Sequence, residues 1–395
     1  LTHAVPFARE LMLFSREGQF VLTSDGVMTP KSVKCDQITS FDYNPSVQPI
    51  SVGPNIFFIN DRVNHSSLMR FYSLQDVSDL KDAEDVSAHV PTYIPKAITK
   101  LSGNTTENLI TLVNSNNPNT VYCYKFILRN GVSEQQAWFK WTFGFTGTEV
   151  VLAEFVDSEV YFLINSPNGL FLDKTKLTGN TVDFEDEPFR LFMDRKVQYK
   201  IPINAKYNDF ENYTEVSLKD IYGYVPNNTG EYVFYLVSKE GYLIEVPEWD
   251  SNGVFRITGN QRSQKFFVGM SYNFYTKLSK QSIKKPTDNG GVVSVDEGRL
   301  QLRYYWFNYS NSGVFDCHGD NDIKNKHFNY RFTGKTLGES SAKLGVNKVF
   351  TGKYKFPVQD NNSEVVISLS SNNPQPLNII SAGWEGLYVR RNASI

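Results

Sequence analysis

Cysteine is scarce in this chain: Cys35, Cys123 and Cys317 are three among 395 residues, odd in number and far apart. That excludes a Cys-x-x-Cys metal motif and gives no basis for a disulfide framework, so buried free thiols are the expectation. Histidine is almost as rare. His3, His65, His89, His318 and His327 have no sequence neighbours that read as a catalytic triad. An excess of one charge is also missing, with 40 Lys and Arg against 42 Asp and Glu and a formal net charge of −2. Proteins that grip nucleic acid or anionic membranes usually carry a basic excess, and the totals show none. No apolar run approaches the roughly 18 residues of a membrane helix, so no membrane span is expected. No basic–apolar–small signal segment stands at the start. The chain opens at Leu1 rather than Met, which reads as a fragment or a processed product. G-x-S-x-G, P-loop, G-x-G-x-x-G and H-E-x-x-H patterns are all lacking. No catalytic residue, metal ligand or cofactor is nominated, and the chain reads as a non-enzyme.

What the sequence does have is aromatic bulk: 29 Phe, 22 Tyr and 5 Trp. Such residues fit half-buried pleated surfaces and favour strands. Hairpins recur. Leu11 to Ser15 and Gln19 to Thr23 flank Arg16-Glu17-Gly18, with Gly18 where a three-residue turn needs left-handed backbone. Leu109 to Val113 and Thr120 to Leu128 flank a polar Asn-rich turn, and Val160 to Ile164 and Leu170 to Leu172 flank Ser166 to Gly169. Turns centred on Gly18, Asn64, Asn117 and Asn168 lie about 50 residues apart, near the length of one four-stranded propeller blade. An irregular β-sandwich with evenly spaced hairpins fits the same spacing.

The fold expectation is therefore all-β with very little helix: a partial propeller-like region over 1–193, then a second β-rich, sandwich-like domain over 194–395. One short helix is expected at about 76–90, where Val77, Leu80, Ala83, Val86 and Val90 recur at helical spacing and Pro91 follows. Lys284 to Gly291, rich in Pro, Asp, Asn and Gly, reads as an exposed loop.

Three stretches come closest to chemistry. Asp316 to Asp322 alternates acids with His318 like a calcium loop, but Asn321 and His327 stand where that loop needs Gly and Glu, so a turn explains it better. Asp183 to Glu187 is acidic and reads as a solvated loop. Ser24-Asp25-Gly26 lacks the aromatic residue an Asp-box requires. Lys277, Lys280, Lys284 and Lys285 form the one basic cluster, a candidate phosphate-facing group whose plainer meaning is a charged strand edge.

Several blocks resemble the nozzle proteins (tail tubular protein B) of short-tailed, autographivirus-type podophages, and match their C-terminal half. They are AVPFARELMLFSREGQFVLT with MTPKSV near the start, FYSLQDVSDLKDAEDVSAHVPTYIP at 71–95, EPFRLFMDRKVQYKIP at 187–202, GRLQLRYYWFNYSNSGVFD at 298–316 and PLNIISAGWEGLYVRR at 376–391. The resemblance implies a β-propeller joined to further β domains in a virion tail protein made in the host bacterial cytoplasm. It implies a hexameric ring in the tail tube, joined to the adaptor tail tubular protein A, with tail fibres docking nearby. Genomic DNA would pass through the channel without specific binding. Trp384, Tyr388, Arg390 and Arg391 are the candidate assembly contacts. The alternative is a carbohydrate-active or receptor- or glycan-binding tail protein, which a carboxylate pair in a cleft or an exposed aromatic platform would favour.

Overall fold

Runs such as Asn55–Asp61 (NIFFIND) and Leu109–Asn114 (LITLVN) carry apolar side chains on both faces and are buried at nearly every position. A strand with that composition must bury both faces, and stacked sheets provide for it. The computed structural model describes residues 1–395 apart from 8–9, 25–26, 28, 74–80, 130–131, 145–146, 180, 228–231, 288–290, 296, 335–345 and 391–395. The chain divides into two compact units, Leu1–Gly179 and Asn180–Ile395.

The first unit is a series of antiparallel meanders. Strands β1 (His3–Phe7), β2 (Glu10–Ser15), β3 (Gly18–Ser24) and β4 (Val33–Thr39) form one sheet in chain order. Strands β5 (Ile50–Val52), β6 (Asn55–Asp61), β7 (Ser66–Ser73) and β8 (Lys81–Asp85) form the next. A third holds β9 (Ile98–Asn104), β10 (Leu109–Asn114), β11 (Thr120–Arg129) and β12 (Val132–Thr142), and a fourth holds β13 (Glu149–Val156), β14 (Glu159–Ser166) and β15 (Gly169–Lys176). Period-two alternation sorts the side chains between neighbours. Ile56 and Phe58 of β6 join Met12 and Phe14 in the core shared with the first sheet. The intervening Phe57 and Ile59 join Ile110, Leu112, Tyr122 and Tyr124 in the core shared with the third. Leu109, Val113, Val121 and Cys123 point the other way, toward Val150, Val160, Phe162 and Ile164 of the fourth. Each core is one inter-sheet layer, and the two middle sheets feed a layer on each side.

The expected helix is not found where its latter half can be seen. Lys81–Asp85 is strand β8, with Ala83 opposite Phe71 of β7, and 74–80 lie outside the described residues. The apolar spacing was compatible with a helix, but ladder bonds to β7 and burial of Ala83 between two sheets decide for the strand.

The second unit continues with β16 (Asp194–Lys200), β17 (Tyr207–Asn208), β18 (Tyr213–Ser217), α1 (Leu218–Tyr222), β19 (Phe234–Ser238), β20 (Leu243–Val246), β21 (Val254–Thr258) and β22 (Lys265–Met270). Then come β23 (Phe274–Lys277), β24 (Lys284–Pro286), β25 (Val292–Ser294), β26 (Arg299–Ser312), β27 (Phe315–Asn321), β28 (Lys326–Phe332), β29 (Phe350–Asn361), β30 (Val366–Ser371) and β31 (Ile379–Val389). The five-residue α1 is the only helix among the described residues, and Gly223 ends it at φ 79°, a left-handed cap that glycine adopts without strain. The sheet β16-β22-β19-β20 packs Tyr235, Val237 and Phe267 on Leu191 and Met193, so the segment before β16 is built into this unit. Sheets β29-β26-β31 and β23-β30-β27-β28 face each other across a common core of Leu302, Tyr305, Phe307, Phe315, Phe356 and Leu369. Lys284–Pro286, read from sequence as loop, pairs with β25 in a two-stranded hairpin.

Candidate functional site

In the first unit the leading strands of the four sheets gather together: β1 lies beside β5, β5 beside β9, and β9 beside β13. Their close approach has a local cause. A Cβ on Gly103 of β9 would stand 2.5 Å from Val52 Cγ2 and 2.8 Å from Ile50 Cδ1, so only glycine lets β5 and β9 meet here. A cleft of about 350 Å³ opens over these strands, lined among others by Val5, Pro6, Gln48, Ile50, Lys100 and Glu154. Its charged groups are engaged with one another. Lys100 Nζ lies 3.3 Å from Glu154 Oε2, which also accepts a 3.1 Å hydrogen bond from Ser102 Oγ.

The sequence-nominated residues fall in several places. Trp384 and Tyr388 of β31 sit opposite Tyr305 and Leu300 of β26 and pack, half-buried, against the core of the two facing sheets. Tyr388 donates a hydrogen bond to the Glu297 carbonyl, and Arg390 Nη2 lies 3.5 Å from Glu297 Oε2. Arg391 lies outside the described residues. The four lysines are divided among elements: Lys277 ends β23, Lys284 and Lys285 begin the separate β24–β25 hairpin, and Lys280 between them donates a 2.5 Å hydrogen bond to the Ser363 carbonyl.

The calcium-like stretch is strand β27, whose pleat sends Asp316, His318 and Asp320 outward in a row rather than around a point. His318 Nε2 meets Ser370 Oγ at 2.7 Å, and His327 Nδ1 meets Asp320 at 2.9 Å. Among the described residues no three His, Cys, Asp or Glu side chains are placed to hold a metal ion. The acidic loop is paired throughout its close contacts: Asp183 and Glu187 with Lys196, Asp186 with Lys239 and Lys265. Cys123 and Cys317 are buried, and desolvation pushes both thiols well above the ordinary range; Cys35, on β4, is exposed instead of buried.

One surface went unnoticed in the sequence: the outer face of the β29-β26-β31 sheet. Arg299, Gln301, Arg303, Tyr304, Trp306 and Asn308 of β26 alternate with core residues, and a register shift between Leu302 and Tyr304 turns both Arg303 and Tyr304 outward. From β29, Lys353 Nζ sits 4.0 Å from the Trp306 ring centroid and Lys355 Nζ 4.2 Å from that of Tyr304. Lys355 also pairs with Glu385 of β31 at 2.8 Å. Lys355 above all, then Arg303 and Lys353, hold the Glu385 carboxyl below its ordinary range. The signal available was the alternation in RLQLRYYWFN, but the lysines arrive from a strand about 50 residues later.

These features define a class: an all-β protein of stacked antiparallel sheets, whose polar side chains at the closest-packed points bond to one another. The chain matches the bacteriophage nozzle protein family over residues 1–395 and belongs to that family. It is 37% identical over 399 residues to tail tubular protein gp12 of Escherichia phage T7, an alignment covering all of this chain and 49% of that protein. The chain thus spans about half the length of the curated relative it matches.

Proposed function

We propose that the chain forms part of the wall of a phage tail tube, a ring in the virion tail through which genomic DNA passes into the host, and that its role is structural rather than enzymatic. Family membership supports the tail assignment, and the name of the T7 relative points the same way. The ring is taken to be a hexamer joined to the adaptor tail tubular protein A, with tail fibres at the junction.

The observation that carries the reading is the first unit's stack of blade-like meanders, with leading strands gathered on one side and an apolar face at each end. Leu11, Leu13, Phe20 and Leu22 of the first sheet lie outside the shared cores, half-buried. On the fourth sheet Leu152, Leu163 and Leu172 line up across three strands, and Leu172 is 67% exposed. Sheets that end a stack this way suit further blades on either side, as in a propeller completed by more chain than these residues provide.

Electron microscopy of the family-length protein tests the reading. A ring with sixfold symmetry is expected. The present chain alone should be monomeric or weakly associated by light scattering, and a closed ring needs two different patches to meet. A stable two-fold dimer would defeat the proposed assembly.

A further inference from the structure

We propose that the outer face of the β29-β26-β31 sheet is a phosphate-binding track for duplex DNA, a proposal that takes its ligand class from the conduit reading. Four cations stand on this face, Arg299, Arg303, Lys353 and Lys355, against one acid among the described residues, Glu385. The face is locally basic although the chain as a whole is not.

The way the cations are held matters. A lysine neutralised by a carboxylate has little left for a ligand. Lys353 is poised over the Trp306 ring at 4.0 Å instead, and a ring face attracts and orients an ammonium while leaving its full charge available. Lys353 and Lys355 are two residues apart on one strand, and neighbouring strands run about 4.8 Å apart, so the sheet displays its cations as a fixed array. A polyanion with regularly spaced phosphates fits such an array. A protein partner fits less well, because protein interfaces are depleted in lysine, whereas two lysines reach over the rings of the central strand and the exposed Leu387 and Val389 are confined to one end of the face. The rings lie beneath the lysines and are not open for base stacking, which favours a duplex backbone over unstacked single strands. Gln301 and Asn308 add neutral donors on the same face.

With one of the four cations shared with Glu385, about three phosphates would be neutralised. The expected slope of log K against log salt is then roughly −3, or about a 60-fold loss between 50 and 200 mM salt. Affinity should be in the non-specific range, about 10⁻⁴–10⁻⁶ M, whatever the duplex sequence. The test is fluorescence anisotropy of a labelled mixed-sequence duplex titrated with this chain, with ring formation by the family-length protein scored separately by electron microscopy. Lys353→Gln with Lys355→Gln, checked for an unchanged melt, should reduce the slope by about 1, since Lys355 is already shared with Glu385. Lys277→Gln, Lys284→Gln and Lys285→Gln together should leave it unchanged. Absence of salt-dependent binding by the wild-type chain at 50 mM salt overturns the proposal, as does a salt slope that the double substitution leaves unchanged. Capture of polyglutamate but not duplex overturns it in favour of an acidic protein partner. Rings without DNA binding sink this proposal alone, and binding without rings sinks only the conduit reading.

Discussion

Lys196 offers the sharpest test of what holds the second unit together. The register of β16 slips between Asp194 and Val197, with Arg195 at φ 50°, and a bulge of this kind re-aims the side chains within it. Lys196 is turned onto the segment that precedes the strand. Its Nζ lies 2.5 Å from Glu187 Oε1, 2.6 Å from Asp183 Oδ2 and 2.8 Å from the Leu191 carbonyl, with the Phe184 ring 5.8 Å away. The Glu187 contact is one of charge, off the hydrogen-bonding direction, while Glu187 Oε2 accepts from the Asp183 and Leu191 amides at 3.4 Å. The side chains of Lys196 and Glu187 are 6% and 0% exposed.

Lys196→Met leaves the Glu187 carboxylate buried without a counter-charge. Stranding one partner of a buried pair costs about 3–5 kcal/mol, whereas replacing both partners with apolar groups is often neutral. Lys196→Met should therefore destabilise by about that much and Glu187→Leu by less, because Lys196 keeps Asp183 and the Leu191 carbonyl, and in the Glu187→Leu background Lys196→Met should cost far less. For a unit of this size the Lys196→Met loss is a fall in Tm of roughly 6–20 °C. Urea unfolding followed by circular dichroism measures all four corners of the cycle. If Lys196→Met unfolds within about 0.5 kcal/mol of wild type, or the double variant is no more stable than Lys196→Met alone, the buried pair is not what ties 183–191 to the sheet.

Three further outcomes are expected. Gly103→Val should cost about 1–3 kcal/mol, because its Cβ alone would meet Val52 at 2.5 Å and Ile50 at 2.8 Å; an unshifted thermal melt would show that β5 and β9 are free to separate. At Asp360, burial pushes the carboxyl up, but Lys324 and Asn321 outweigh it and hold the group below its usual range; Lys324 and Asn321 do the same for Glu364. Folded-state values lowered in this way give stability that is complete above the unfolded value of about 4 and is lost as pH falls through the folded values. Urea midpoints between pH 5 and pH 2 should drop in wild type and drop less in Lys324→Met, and parallel curves would refute the role given to Lys324. A thiol reagent should label Cys35 quickly in the native chain and Cys123 and Cys317 only on unfolding, so fast reaction of all three thiols would contradict the burial of the latter two.

Local pattern was enough to find most hairpins, because a strand's period of two and its turn residues are written within a dozen positions. Leu109 to Val113 and Thr120 to Leu128 were legible for that reason, and they became β10 and β11. The segment 81–85 was not, since the same few residues are compatible with a helix and with a strand, and only the ladder to β7 and the layer above Ala83 separate the two. Leu218–Tyr222 follows strand β18 without a break and is helical, with the left-handed Gly223 closing it. At the candidate sites the lesson is one of register. Residues 384 and 388 must share a face of any strand, which the sequence alone establishes. Which face they share depends on the pairing of Trp384 with Tyr305 and Tyr388 with Leu300, a choice made by partners some 80 residues away, and it turns both rings toward the core. The basic face has the same origin. Arg299 and Arg303 come from one strand and Lys353 and Lys355 from another, and no window along the chain contains them together. A composition balanced to within two charges concealed it, because charge adds along a sequence without regard to position, whereas a sheet sorts it by side.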